Sequence, residues 1–234
     1  MSVSRVTRLV ASAAGLALTV GVAISGAAAI TPHPRVVERT TDASPDGPVV
    51  VAIGDSIMEG HGLDQAQAWP ALLAQEDDWR LTNLASDGSG FVTVGDNGDT
   101  FADQMVVAAR LKPSIVLVSG SSNDLGQPDA RIAQATQATI LALHKLVPSA
   151  DIVNVSPVWS DTVEPAQLAT IDDDVVKAVA SVGGETLRIG QPLGGLRDLL
   201  QDDDVHPTAE GQQRIAAAVQ KQLSREPGRF DSVD

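Results

Sequence analysis

Short apolar runs alternate with helical segments along most of this chain, and that alternation most narrows the folds open to it. Val49–Ile53 (VVVAI) is continuous, rich in β-branched residues and bounded by Pro48 and Gly54, as expected of a strand buried on both faces. Ile115–Ser119 (IVLVS) repeats the pattern, and Ile152–Val155 and Thr186–Ile189 are shorter versions of it. Trp79–Leu84 is a more polar strand candidate. Between these runs the spacing predicts helices. One starts near Ala68 with Pro70 in its first turn. Asp103–Leu111 is stopped by Pro113, and Ala130–Leu146 ends at Pro148. Pro165–Val182 ends at Gly183-Gly184, and Thr208–Leu223 closes the series. Strands that are apolar along their whole length need cover on both faces. The expected fold class is therefore α/β, a three-layer α/β/α sandwich of about 175 residues around a central parallel sheet. In such sheets ligands bind outside the carboxyl ends of the strands.

The ends of the chain read differently. Arg5 and Arg8 precede an uncharged stretch from Leu9 to Ala29 that closes on Ala27-Ala28-Ala29. Residues 1–29 read as a signal peptide, with an uncleaved membrane anchor as the alternative. The expected location is secreted or cell-envelope associated, with stable membrane contact only if that segment is retained. Residues 30–47 are rich in Thr, Pro and Asp without apolar period and read as a flexible linker, with His33 solvated. The folded domain is expected over residues 48–222, and residues 223–234 form a polar tail.

Charge removes some partners. The formal net charge is −14, which argues against nucleic acid and against docking on an anionic membrane through a basic patch. The sequence has no cysteine, so disulfides, thiolate catalysis and cysteine-ligated zinc are excluded.

Four stretches carry residues able to do chemistry at strand-to-helix loops: GDSIMEG from Gly54, NLASDGSGF from Asn83, SGSSNDL from Ser119 and DDDVHPTAEG from Asp202. Each residue has a plain reading. Ser56 can cap a helix after a turn, Gly88 and Gly90 can serve a tight turn, Asn123-Asp124 is common turn chemistry, and Asp202-Asp203-Asp204 can be a solvated run. Each also has a chemical one. A serine hydroxyl needs a base, His206 can supply it, and a carboxylate three residues earlier, Asp203, can hold the imidazole tautomer. A glycine-loop N–H and the Asn123 amide can face a developing oxyanion.

The ordered combination of GDSI, Asn83 with Gly88, Ser-Ser-Asn-Asp and Asp203-Asp204-Val205-His206-Pro207 resembles the SGNH hydrolases, also called the GDSL esterase/lipase family. The resemblance covers about residues 48–222, and Ala68-Trp69-Pro70 adds to it. It implies a flavodoxin-like topology, no metal and no cofactor. It implies Ser56 as nucleophile, His206 as general base and then acid, and Asp203 as its orienting acid. The oxyanion hole would be the N–H groups of Ser56 and Gly88 with the Asn123 side chain, and Asp55 would hold the nucleophile loop. Ser121 stands where the family usually has glycine, which bears on how Asn123 is presented. Gly90 is an alternative to Gly88, and Asp202 or Asp204 to Asp203.

The activity so implied is hydrolysis of carboxylic esters through an acyl-enzyme. The expected substrate is a small-molecule or glycan ester with a short acyl chain, such as an acetylated carbohydrate or envelope ester. An acyltransferase using the same site, and a non-catalytic glycan-binding module on the same fold, are the alternatives. His61 is a candidate for lining the cleft, against an exposed loop position. Trp159 is a candidate substrate platform, against a place in the core. Trp69 and Trp79 are expected in the core, and His144 is expected to be structural. Asp172-Asp173-Asp174 lacks the spacing of a calcium loop and reads as a solvated helix face.

Overall fold

A computed structural model of the chain describes residues 34–41 and 46–225. The signal-peptide reading of residues 1–29, His33, and tail residues 226–234 lie outside the described residues.

The alternation of apolar runs and helices closes into one six-stranded sheet. Its strands are β1 (Arg39–Thr40), β2 (Val49–Gly54), β3 (Arg80–Asn83), β4 (Ile115–Ser119), β5 (Asp151–Val155) and β6 (Glu185–Leu187). The spatial order is β1-β3-β2-β4-β5-β6, and every pairing is parallel except β1 with β3. The helices are α1 (Ser56–Glu59), α2 (Trp69–Glu76), α3 (Phe101–Arg110), α4 (Asp129–Leu146), α5 (Ala166–Ala180) and α6 (Ala209–Leu223).

Because β2 is apolar at every position, alternate residues feed two separate cores. Val50 and Ala52 join Trp69 and Leu73 of α2 and Ile215 and Val219 of α6. Val51 and Ile53 join Phe101 and Met105 of α3, Ile140 and Leu143 of α4, and Val175 and Val179 of α5. Burying each large apolar side chain contributes about 1.5–3 kcal/mol, so a strand feeding both layers ties them to one backbone. The fold is the expected α/β/α sandwich. Trp69 and Trp79 are both buried in the first core, as expected.

The expected linker needs correction. Arg39–Thr40, within residues 30–47, adds an antiparallel edge strand, with Arg39 opposite Asn83 and Thr40 opposite Thr82. Composition gave no sign of this because a two-residue edge strand has no period of its own. Its backbone partners come from β3, and the Arg39 guanidinium adds a bond to the Ala85 carbonyl and an ion pair with Glu59. At the other end Leu223, placed with the tail, is the buried last residue of α6.

The strand order decides where a site can form. The chain leaves β2 for β3 on one side and then crosses to β4 on the other. Neighbouring parallel strands whose connections depart in opposite directions open a crevice at their carboxyl ends. Ser56 follows β2 directly, and the Ser122–Asp124 turn follows β4.

Candidate active site

The serine is set by its own local sequence. Asp55 is extended and caps α1, its side chain accepting from the Ile57 N–H at 3.1 Å. That cap starts a helix of a single turn with Ser56 as its first residue, whose N–H has no intrahelical acceptor. Gly60 closes the turn in the left-handed region at φ 83°. Asn83, at the end of β3, donates to the Met58 carbonyl at 2.8 Å and so ties the turn to the next strand. Gln212 of α6 donates to the Ile57 carbonyl at 3.0 Å and accepts from the Trp69 N–H at 2.9 Å.

Asp55 itself is buried. Burial pushes its carboxyl up to about 7, against the opposing Ile57 N–H and with a further rise from the charge of Asp124. Its cap holds the turn that carries Ser56.

The loop after β3 is held by a buried polar network. Gln104 of α3 accepts from the Gly54 N–H at 2.9 Å and donates to the Gly54 carbonyl, Ser89 Oγ and Asp99. Ser86 donates to Asp99 at 2.8 Å, and Ser89 Oγ donates to the Ser86 carbonyl at 2.7 Å. Buried polar groups need partners, and here the partners join β2, which leads into Ser56, to the Gly88 loop. Asp124 adds a second clamp, accepting from the backbone N–H groups of Phe91, Val92 and Thr93 at 2.8–3.1 Å. Sequence reading did not single out Gln104, Asp99 or this use of Asp124. Only a polar residue at an otherwise core-facing helix position, Gln104, hinted at it.

The two loop glycines differ. Gly88 has φ 72°, and among the described residues its N–H has no acceptor. The Gly90 N–H donates to the Thr93 carbonyl at 2.9 Å, so it is already used. Asn123 donates through Nδ2 to the Ser89 carbonyl at 2.9 Å, which leaves one N–H of its amide. Ser121 takes over the glycine position: it is buried, donates to the same Ser89 carbonyl and accepts from the Asn123 N–H at 3.1 Å. The departure at this position thus supplies an extra anchor for the turn that carries Asn123.

His206 and Asp203 meet as their spacing suggests. His206 Nδ1 donates to Asp203 Oδ2 at 2.6 Å, and Asp203 Oδ1 accepts from the N–H groups of Val205 and His206 at 3.0 Å. These bonds, His206's first, hold the Asp203 carboxyl well below the usual carboxylate range. With Nδ1 as donor, the Nε2 lone pair of His206 is free. Asp204 turns away into an ion pair with Arg197. Gln201 locks the His206 loop beside the loop that follows Ser56, donating to the His61 carbonyl at 2.7 Å and the Pro207 carbonyl at 2.9 Å.

His61 lies against His206, with ring centroids 4.0 Å apart and 27° between the planes. Its Nδ1 is 2.5 Å from Asp87 Oδ2. Trp159 is half-buried and neither core nor joined to these residues by a hydrogen bond. Its indole N–H donates to Thr162 and its backbone N–H to Gln191. His144 is half-buried on α4. The Asp172–Asp174 run is not simply solvated: Asp172 pairs with Arg188, and burial raises its carboxyl.

Among the described residues, His61, Asp203 and His206 are the one group of metal-ligand types gathered closely, with ligand atoms within 4.8 Å of one another. Each imidazole already spends Nδ1 on a carboxylate, and the rings are stacked. Among the described residues no helix is long and apolar enough to cross a membrane.

Comparison with solved structures bears out the fold. A psychrotrophic esterase, EstA from Pseudoalteromonas sp., superposes with a TM-score of 0.61 at 17% identity, over 76% of this chain and 98% of that one. A family two carbohydrate esterase from Clostridium thermocellum, in complex with cellohexaose, gives 0.61 at 16% identity, over 80% and 67%. A salicylyl-acyltransferase from a tetracycline biosynthetic pathway gives 0.58 at 20% identity, over 81% and 57%. No curated protein sequence matches the chain. The model of the GDSL-like lipase/acylhydrolase family matches residues 52–214, from within β2 into α6. That span takes in all four strand-edge loops, and the chain belongs to the GDSL-like lipase/acylhydrolase family of hydrolases.

Proposed function

We propose that this protein is a secreted serine esterase that hydrolyses short-acyl carboxylic esters through Ser56, His206 and Asp203. The observation that carries the reading is the His206–Asp203 bond at 2.6 Å beside the β2 nucleophile turn, with Gln201 joining the two loops. A carboxylate on Nδ1 presents Nε2 as a base.

In the first step Ser56 Oγ attacks the ester carbonyl carbon, and its proton passes to His206 Nε2. The carbonyl oxygen gains the negative charge. The N–H groups of Ser56 and Gly88 and the remaining Asn123 amide hydrogen are the donors available to it. The C–O bond to the alcohol then breaks as His206 returns the proton to the leaving oxygen. Water repeats the cycle on the acyl-enzyme and frees the acid and Ser56. The free Gly88 N–H favours Gly88 over Gly90 as the loop donor.

Substrate and location are read from composition and the N-terminal sequence. Few aromatics and short loops suit an open cleft and small acyl groups, and the Arg5-to-Ala29 stretch suits export. An acetylated carbohydrate or envelope ester fits both. The test is hydrolysis of a chromogenic acetyl ester by the parent and by Ser56→Ala. Turnover by the parent alone supports the reading, and turnover by a folded Ser56→Ala overturns it. Adding a sugar acceptor separates hydrolysis from acyl transfer by the product formed.

A further inference from the structure

The ring of His61 and its supports have no part in the proposed chemistry, yet they form a continuous chain of contacts ending on His206. The chain begins on the edge strand β1. Arg39 pairs with Glu59, the last residue of the nucleophile helix, and donates to the Ala85 carbonyl at 2.9 Å. Glu59 meets Asp87. Its carboxyl is pushed up to about 7, first by burial and then by a hydrogen bond with Asp87. Glu59 Oε2 and Asp87 Oδ1 are both buried without a conventional donor. Asp87 then keeps Oδ2 for His61 Nδ1 at 2.5 Å. The other end of His61 is fixed by its backbone: its N–H donates to the Ser56 carbonyl at 3.1 Å, and its carbonyl accepts from Gln201.

A ring fixed at both ends is a wall. His206 needs one, because Asp203 and its loop are exposed: the Asp203 side chain is 42% accessible. A single hydrogen bond to an exposed carboxylate leaves the imidazole free to swing about that bond. A flat face 4.0 Å from its own face removes that freedom. Catalytic groups must be held within tight angular limits by neighbours whose own rotamers are locked.

We propose that His61 is a positioning residue for His206: anchored through Nδ1 on Asp87, its ring is the wall that fixes the plane of the base. The role rests on the reading of Ser56 and His206 as nucleophile and base. The Arg39–Glu59–Asp87 relay makes the edge strand part of that support.

The test uses the full-length protein with His61→Ala, His61→Phe, Asp87→Ala and His206→Ala. It reads kcat and KM on a chromogenic acetyl ester, and the rate at which a fluorophosphonate labels Ser56. Thermal midpoints confirm folding. His61→Ala is expected to lose about tenfold or more in kcat and labelling rate, with KM nearly unchanged, as a misplaced catalytic group does. His61→Phe, which keeps a flat ring, is expected to recover most of that loss. Asp87→Ala keeps the ring but removes its anchor, as His61→Phe does, and is expected to match His61→Phe, between the parent and His61→Ala. Parent-like labelling of His61→Ala or of Asp87→Ala overturns the proposal. So does a His61→Phe as impaired as His61→Ala, since the wall would then not be what matters. His206→Ala separates the two readings: if it labels at the parent rate, the base assignment fails rather than the role of His61.

Discussion

Gly90 lies so close to Asp124 that a Cβ on the glycine would stand 2.6 Å from Oδ1 of the carboxylate. At Gly88 the nearest atom to such a Cβ is 3.6 Å away, and only the positive φ of 72° resists a side chain. The two substitutions therefore test different physics. Gly90→Ala is expected to destabilise by about 3 kcal/mol through overpacking. Gly88→Ala is expected to cost about 1 kcal/mol through its left-handed backbone. Urea midpoints of the two variants at one pH measure the difference, and equal values would contradict it.

Asp124 organises the loop that Gly90 lets it approach. Removing its carboxylate leaves the N–H groups of Phe91, Val92 and Thr93 without their acceptor. Asp124→Ala is expected to lower stability by about 3 kcal/mol, because the buried Phe91 donor and the half-buried Val92 and Thr93 donors each carry a desolvation cost. Asp124→Asn keeps part of the acceptor capacity and should lose less. The order of the two in chemical denaturation is the readout.

Asp203→Asn keeps the shape of the partner of His206 but no longer presents a carboxylate to Nδ1. If His206 acts as the base, kcat is expected to fall by about a thousandfold or more, as when a triad loses its correct tautomer. The fold should be unchanged, since Asp203 is exposed. Steady-state kinetics beside a thermal scan would separate the two effects. A near-normal kcat would remove Asp203 from the mechanism.

Asp55 gives a stability signature in pH. Burial raises its carboxyl from an ordinary value of 3.8 to about 7 in the folded protein. Between those values the folded state holds a proton that the unfolded chain has lost. Stability from this group is therefore complete below pH 4 and is lost as pH rises through 7. Glu59, also pushed up to about 7, acts in the same direction. Asp55→Asn is expected to flatten the fall in thermal midpoint between pH 5 and pH 8. An unchanged slope would show that Asp55 keeps its proton on neither side of folding.

Much of the frame was legible in the sequence because it depends on local pattern. The apolar run VVVAI could only be a strand covered on both faces, and it feeds both cores through Val50 and Val51. The three-residue spacing of Asp203 and His206 suffices for their bond, since a short turn closes it. Pro70, Pro113 and Pro148 mark helix boundaries by the same local logic.

What the tertiary structure alone decided depends on partners distant in sequence. Spacing from Asn83 favours Gly88 over Gly90, and the bond from Gly90 to Thr93 and its contact with Asp124 give the physical difference between them. Arg39–Thr40 has no strand pattern of its own and becomes a strand because β3 offers an open edge. His61 and His206 are separated by most of the domain, and a strand order that brings both loops to one end of the sheet sets ring on ring. The sequence by itself determined which residue types could do the chemistry and in which order they occur. The chain crossing at β2 and β4 determined which of them meet, because contacts between distant loops follow from topology and not from spacing.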